Sequence, residues 1–180
     1  IKRAREAQRK EEMIENDSAT EYATNKLAII VPADNPAGIV SLTDLATPGV
    51  KIVSETSEVP VRKYTEQMLN KTLNSTALGK TFVDGFRANI ISEETNVAGA
   101  TAKVALGEAD AGITYYSDVT MDLASKIKII EIPEEFNIVA IYECGILSES
   151  NEKELAQEYM KLLTSDEGKN VLKNYNFLPA

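Results

Sequence analysis

At 180 residues the chain is long enough for one sizeable core or for two lobes sharing a waist. A net charge of −9 and an isoelectric point near 4.7 argue against nucleic acid and anionic membrane surfaces as partners. There is no histidine, and Cys144 is the only cysteine, so the usual general base, the Ser–His pair, a disulfide framework and a thiolate metal cluster fall away together.

An acidic whole still leaves room for a small anionic ligand, because a local set of backbone N–H groups outweighs distant carboxylates. No stretch approaches the roughly 18 consecutive apolar residues of a membrane span. No secretory signal is visible. The chain opens inside "IKRAREAQRKEEMIEN", a charged helical pattern over residues 1–15 with a narrow apolar stripe and no cap before it. That pattern implies residues upstream.

"NDSATEYATN" (16–25) reads as turn and cap chemistry, and "KLAIIVP" (26–32) as a buried strand ended by proline. A loop and a short helix around Leu42–Leu45 follow, stopped by Pro48-Gly49. "VKIVSE" (50–55) is a second strand. Pro60 then enters the amphipathic helix 61–73, at a position where its missing N–H costs nothing. "ANIISE" (88–93) is a third strand, followed by a helix over 95–107 with Thr95 or Asn96 as cap and Gly107 as stop.

Next comes "GEADAGITYYSDV" (107–119), an apolar strand that ends on two tyrosines. It delivers phenol hydroxyls to a strand's carboxyl end, where open α/β sheets keep their ligand crevices. A helical turn near 118–125, strands over 126–133 and 137–147, and two terminal helices broken at Ser165 complete the chain. Strands alternating with helices of this length predict an α/β fold with mainly parallel pairing.

Three stretches carry a resemblance: "NKLAIIVPADNPAGIVSLTDLATPGVKIVSETSEVPVRKYTEQML", "ETNVAGATAKVALGEADAGITYYSDV" and "LLTSDEGKNVLKNYNF". Over residues 23–180 the chain resembles the molybdate-binding proteins that feed ABC transporters. The resemblance implies a type II periplasmic-binding-protein-like α/β fold, two lobes joined by crossing hinge strands. Residues 33–137 would form lobe II, and residues 1–32 with 138–180 would supply the remainder of lobe I and the hinge strands. Relatives open lobe I with strand–helix units bearing anion-binding serines. These are not recognisable here, so the chain reads as a fragment expected to bind its anion poorly and to self-associate.

By resemblance, the ligand is molybdate or tungstate, with no cofactor and no catalysis. The partner is the membrane permease of an ABC transporter, and the location is periplasmic or extracellular, with or without a lipid anchor. The backbone N–H groups of Val61 and Val97, each at a helix start, and the hydroxyl of Tyr115 would hold the oxyanion. Asn96 and Glu94 are further candidates, Glu94 because some archaeal relatives place a carboxylate in the ligand's own coordination sphere.

The residues also have plainer readings. Val61 and Val97 are helix-start hydrophobes, Tyr115 a core aromatic, and Tyr116 a packing residue on the opposite strand face. Glu93 and Glu94 form a solvated pair before a helix, and Cys144 is a small core filler. Arg62 replaces a glycine common in relatives and is expected to point to solvent. Two other classes share the bilobal plan: the effector domain of a LysR-type regulator, and a deaminase-type pyrroline or porphobilinogen enzyme. The basic residues of "IKRAREAQRK" are too few for a DNA-binding segment, and the lack of histidine weighs against the enzyme.

Overall fold

The computed structural model describes residues 13–180, which fall into two compact units. One contains residues 26–139, and the other joins the segment up to Asn25 with Ala140–Ala180. The expected lobe 33–137 lies inside the first of these. The helix expected over 1–15 falls almost wholly outside the described residues. Within its last part, Ile14 forms a β-bridge with Leu147.

Among the described residues there are six strands: β1 (Thr20–Pro32), β2 (Ile52–Glu55), β3 (Ile90–Glu94), β4 (Ala111–Tyr115), β5 (Ile127–Glu131) and β6 (Val139–Cys144). The helices of the larger unit are α1 (Pro60–Leu73), α2 (Gly79–Ala88) and α3 (Val97–Ala105), with 3₁₀ turns at Leu42–Ala46 and Tyr116–Asp118. The smaller unit carries α4 (Lys153–Thr164) and α5 (Asp166–Asn174). Ser165 separates these two helices, and its hydroxyl accepts from the Gly168 N–H at 3.2 Å, as a cap should.

The sheet order is β3-β2-β4-β1-β5, with β6 paired to β1. β2 is parallel to β3 and β4, whereas β1 is antiparallel to β4 and β5. The sheet is therefore mixed, with β1 alone running against the other four on this path. The expected mainly parallel pairing is not borne out: parallel ladders are confined to β2, β3 and β4, where helices cross over as parallel strands require, and both ladders of β1 with β4 and β5 are antiparallel. β1 is followed only by a loop and a 3₁₀ turn, and it is the exception.

Alternation along the strands sends side chains to two apolar layers. Leu27, Ile29, Val31 and Ile52 join Met68, Leu69, Phe82 and Phe86 on the α1–α2 face. Ile30 and Val53 join Ala100 and Val104 on the α3 face. Helices on both faces of the sheet make the α/β architecture expected of the sequence.

Three local expectations are corrected. β1 begins at Thr20, inside the stretch read as turn chemistry. Helix α2 occupies Gly79–Ala88, where the sequence suggested no element. Cys144 is only partly buried, and its thiol lies 3.6 Å from the Thr20 carbonyl rather than filling a core.

Candidate functional site

Because β2, β3 and β4 run in one direction, their carboxyl ends share one edge of the sheet. Those ends are Glu55, Glu94 and Tyr115, and helices α1 and α3 start just beyond the first two. Each helix start leaves N–H groups without an intrahelical acceptor and carries about half a positive charge. The topology thus gathers an electropositive backbone edge on an acidic chain.

Val61 is the second residue of α1, fully buried behind Pro60. The residue before the helix, Val59, has no side chain able to cap it, so no side-chain acceptor competes for these N–H groups. Val97 is the first residue of α3 and is partly buried. The cap is Asn96, whose Oδ1 accepts from the Gly99 N–H at 2.8 Å. That bond commits the Asn96 carbonyl to the helix and leaves its amide as the only group it offers a ligand.

Tyr115 closes β4, and its ring meets Tyr64 of α1 edge-on at 5.9 Å between centroids. Tyr115 thus meets α1 through Tyr64, while Val61 is part of the larger apolar cluster and Val97 and Tyr115 pack against it. Tyr116 has different partners. Its hydroxyl donates to Glu131 at 3.0 Å, and the Lys26 ammonium sits 4.8 Å above its ring. Burial, reinforced by Glu131, pushes its phenol up to about 12.

Glu94 does not stand open to a ligand. Lys103 of α3 reaches it at 2.6 Å, and this hydrogen bond holds the carboxyl below its ordinary range. Glu93 is likewise paired, 2.6 Å from Arg62. The solvated acidic pair expected before α3 is instead two ion pairs to different helices.

Arg62 does not point to solvent. Its Nη1 donates to the Ser54 hydroxyl and the Glu55 carbonyl, both at 3.0 Å, and its Nε to Glu66 at 3.1 Å. The guanidinium folds back onto β2 and ties α1 to the ends of β2 and β3. The side chain expected to be solvated is here a brace.

Two acids at this edge were not singled out as functional from sequence. Asp118 accepts from the Thr114 hydroxyl at 2.6 Å and the Tyr115 N–H at 3.0 Å, fixing the backbone that presents Tyr115. Burial nevertheless raises its carboxyl. Glu55 is 1% exposed, and its Oε1 has no hydrogen-bond partner. Burial, and then the charge of Asp118, push it up to about 8 against the opposing pull of Arg62. The available signal was a lone acid closing the apolar strand "VKIVSE".

A cavity of about 300 Å³ opens between α3 and the turn after β4, lined by Val97, Thr101, Ser117 and Asp118 among others. Among the described residues no group of acids, cysteines or histidines is arranged to hold a metal ion.

The chain matches the protein family described as "Bacterial extracellular solute-binding protein" over residues 2–178. It is 30% identical over 158 residues to the molybdate-binding protein ModA of Mycobacterium tuberculosis, covering 88% of this chain and 56% of that protein. A putative ABC transporter substrate-binding lipoprotein, YvgL of Bacillus subtilis, is 24% identical over 165 residues, covering 91% of this chain and 59% of its own length. The chain therefore spans little more than half of these curated relatives.

The substrate binding domain of a putative molybdenum ABC transporter from Clostridium difficile superposes with a TM-score of 0.79 at 23% identity. That match covers 100% of this chain and 74% of the other, and at this identity it speaks for the fold. The regulator reading finds no support in these matches.

Proposed function

Because the chain belongs to the bacterial extracellular solute-binding protein family, we propose that it serves to capture molybdate, with tungstate as a close competitor, outside the cytoplasm. The relative named for molybdate binding supports this reading. So does one feature of the fold: α1 and α3, which carry Val61 and Val97 in their first turns, start beyond the ends of the parallel strands β2 and β3, on the sheet edge where β4 ends at Tyr115. The residues 26–139 act as one lobe of a two-lobed receptor, with the remaining unit belonging to the other. The bound anion is handed to the membrane permease of an ABC transporter, without chemical change. Relatives include a lipoprotein, and the location is periplasmic or lipid-tethered.

Such a site suits a tetrahedral dianion. Backbone amides and a phenol are short, neutral donors, and charge-assisted hydrogen bonds to them are about twice as strong as neutral ones. Selectivity then follows from donor spacing rather than from a full positive charge. Titration calorimetry of the protein carrying this chain with sodium molybdate, tungstate and sulfate tests the reading. One molybdate per chain, matched by tungstate and bound more tightly than sulfate, is expected. No heat with molybdate, or a preference for sulfate, overturns it.

A further inference from the structure

Among the described residues Glu55 is the only acidic or basic side chain that is fully buried. A buried carboxylate normally finds a partner, because an unpaired charge in the interior is very costly. Here Oε1 has none. The neighbouring cation, Arg62, is committed to the Ser54 hydroxyl, the Glu55 carbonyl, Glu66 and Glu93 rather than to the Glu55 carboxyl. A carboxyl so placed keeps its proton, which agrees with its rise to about 8.

The position of Glu55 matters as much as its burial. It is the last residue of β2, and by alternation with Ser54 its side chain lies on the α3 face together with Val53. Its carbonyl is bound by Arg62 in the first turn of α1. Its strand partner is Glu94, whose Oε2 lies 3.5 Å from where a Gly99 Cβ would stand in the first turn of α3. Its acidic neighbour Asp118 holds the Tyr115 N–H. Glu55 is one link from the carriers of all three candidate donors.

We propose that Glu55 is a proton-operated charge gate of the anion site: neutral, it lets the starts of α1 and α3 retain a tetrahedral oxyanion, and ionised, it drives the anion out. The gate rests on the reading that an oxyanion binds at this edge. The charged groups on the elements around it are Arg62 with Glu66 on α1, Glu93 and Glu94 on β3, Lys103 on α3, and Asp118 after β4. The cations Arg62 and Lys103 are already paired with Glu66, Glu93 and Glu94, so a new charge on Glu55 meets no spare cation among them. It falls instead beside Asp118 and cancels much of the pull of the helix ends.

The test measures molybdate affinity from about pH 6 to about pH 10, a range in which molybdate stays a dianion, for the unaltered protein, Glu55→Gln and Asp118→Asn. Calorimetry in two buffers of different ionisation enthalpy reads the proton taken up on binding. The unaltered protein should lose affinity as pH rises, by up to about tenfold per unit above the gate. It should also take up as much as one proton per anion there. Glu55→Gln should show a flat profile and no such uptake. Asp118→Asn should move the loss to lower pH, because Asp118 is part of what keeps Glu55 protonated.

Parallel profiles for the unaltered protein and Glu55→Gln, with equal proton uptake, overturn the gate while leaving the anion site standing. Absence of molybdate binding by the unaltered protein overturns the anion site and the gate with it. Should Glu55→Gln fail to fold, the proton uptake of the unaltered protein and the shift in Asp118→Asn decide.

Discussion

Tyr115 and Tyr116 are adjacent, yet one meets Tyr64 of α1 and the other is held by Glu131 and Lys26. Their phenylalanine variants should therefore separate binding from packing. Tyr115→Phe keeps the ring against Tyr64 and removes one hydroxyl donor to a charged acceptor, an interaction worth about 1.5–3 kcal/mol. Molybdate affinity should fall about ten- to hundredfold with little change in melting temperature, whereas Tyr116→Phe leaves affinity alone. Equal dissociation constants for the two variants in calorimetry would show that Tyr115 does not touch the anion. At this scale the apolar strand leading to Tyr115 was legible, but Tyr116, expected on the opposite face of the same strand, instead opens the Tyr116–Asp118 turn. The Asn137 clamp was not legible. Its side chain accepts from the Leu27 N–H at 3.0 Å and donates to the Leu27 carbonyl at 2.8 Å, across 110 residues of chain that no local pattern encodes.

Among the elements, α3 shows its cap openly in "ETNVAG", and the structure selects Asn96 over Thr95. Asn96→Ala should cost about 1 kcal/mol, the usual worth of a side-chain cap, and lower the melting temperature by a few degrees. An unchanged melting curve would mean that the Asn96–Gly99 bond contributes nothing. Helix α2 was hidden for the opposite reason: its glycines, Gly79 and Gly85, argue locally against a helix. Gly85 is there for closeness. A Cβ at that position would stand 2.8 Å from the Ala46 carbonyl oxygen and 3.0 Å from its Cβ, so α2 can lie on the Leu42–Ala46 turn only without one. Gly85→Ala, which in a free helix would stabilise by about 0.5–1 kcal/mol, should here destabilise by about 1–2 kcal/mol through overpacking. A rise in denaturation midpoint would refute that account. The early start of β1 has a similar origin. Thr20–Asn25 is polar by composition, but its burial alternates from exposed to buried, and β6 supplies its partner.

For the molecule as a whole, the order of strands and helices other than α2 was legible in the sequence through hydrophobic period and stop residues. The reversed direction of β1 was not, because direction depends on connections rather than on composition. The electrostatics of the carboxyl edge were equally hidden, since net charge says nothing of which acid is buried. They have a consequence for stability that needs no ligand. Glu55 stands at about 8 in the folded chain against an ordinary 4.5. A carboxyl raised on folding contributes stability that is fully present below its unfolded value and is lost as pH rises through its folded value. The affected window for Glu55 therefore opens near 4.5 and closes near 8. Acids lowered on folding, such as Asp44 beside the Val40 N–H, act the other way, and their contribution is lost as pH falls. Comparing the unaltered chain with Glu55→Gln cancels those shared groups. The two should be nearly equal in stability at the acid end of the window. As pH rises through it, the unaltered chain should fall behind by up to about 1.4 kcal/mol per pH unit, on the order of a few kcal/mol in total. Urea denaturation at several pH values across the window measures the gap directly. A gap that stays constant with pH would mean that Glu55 is ionised in the folded chain.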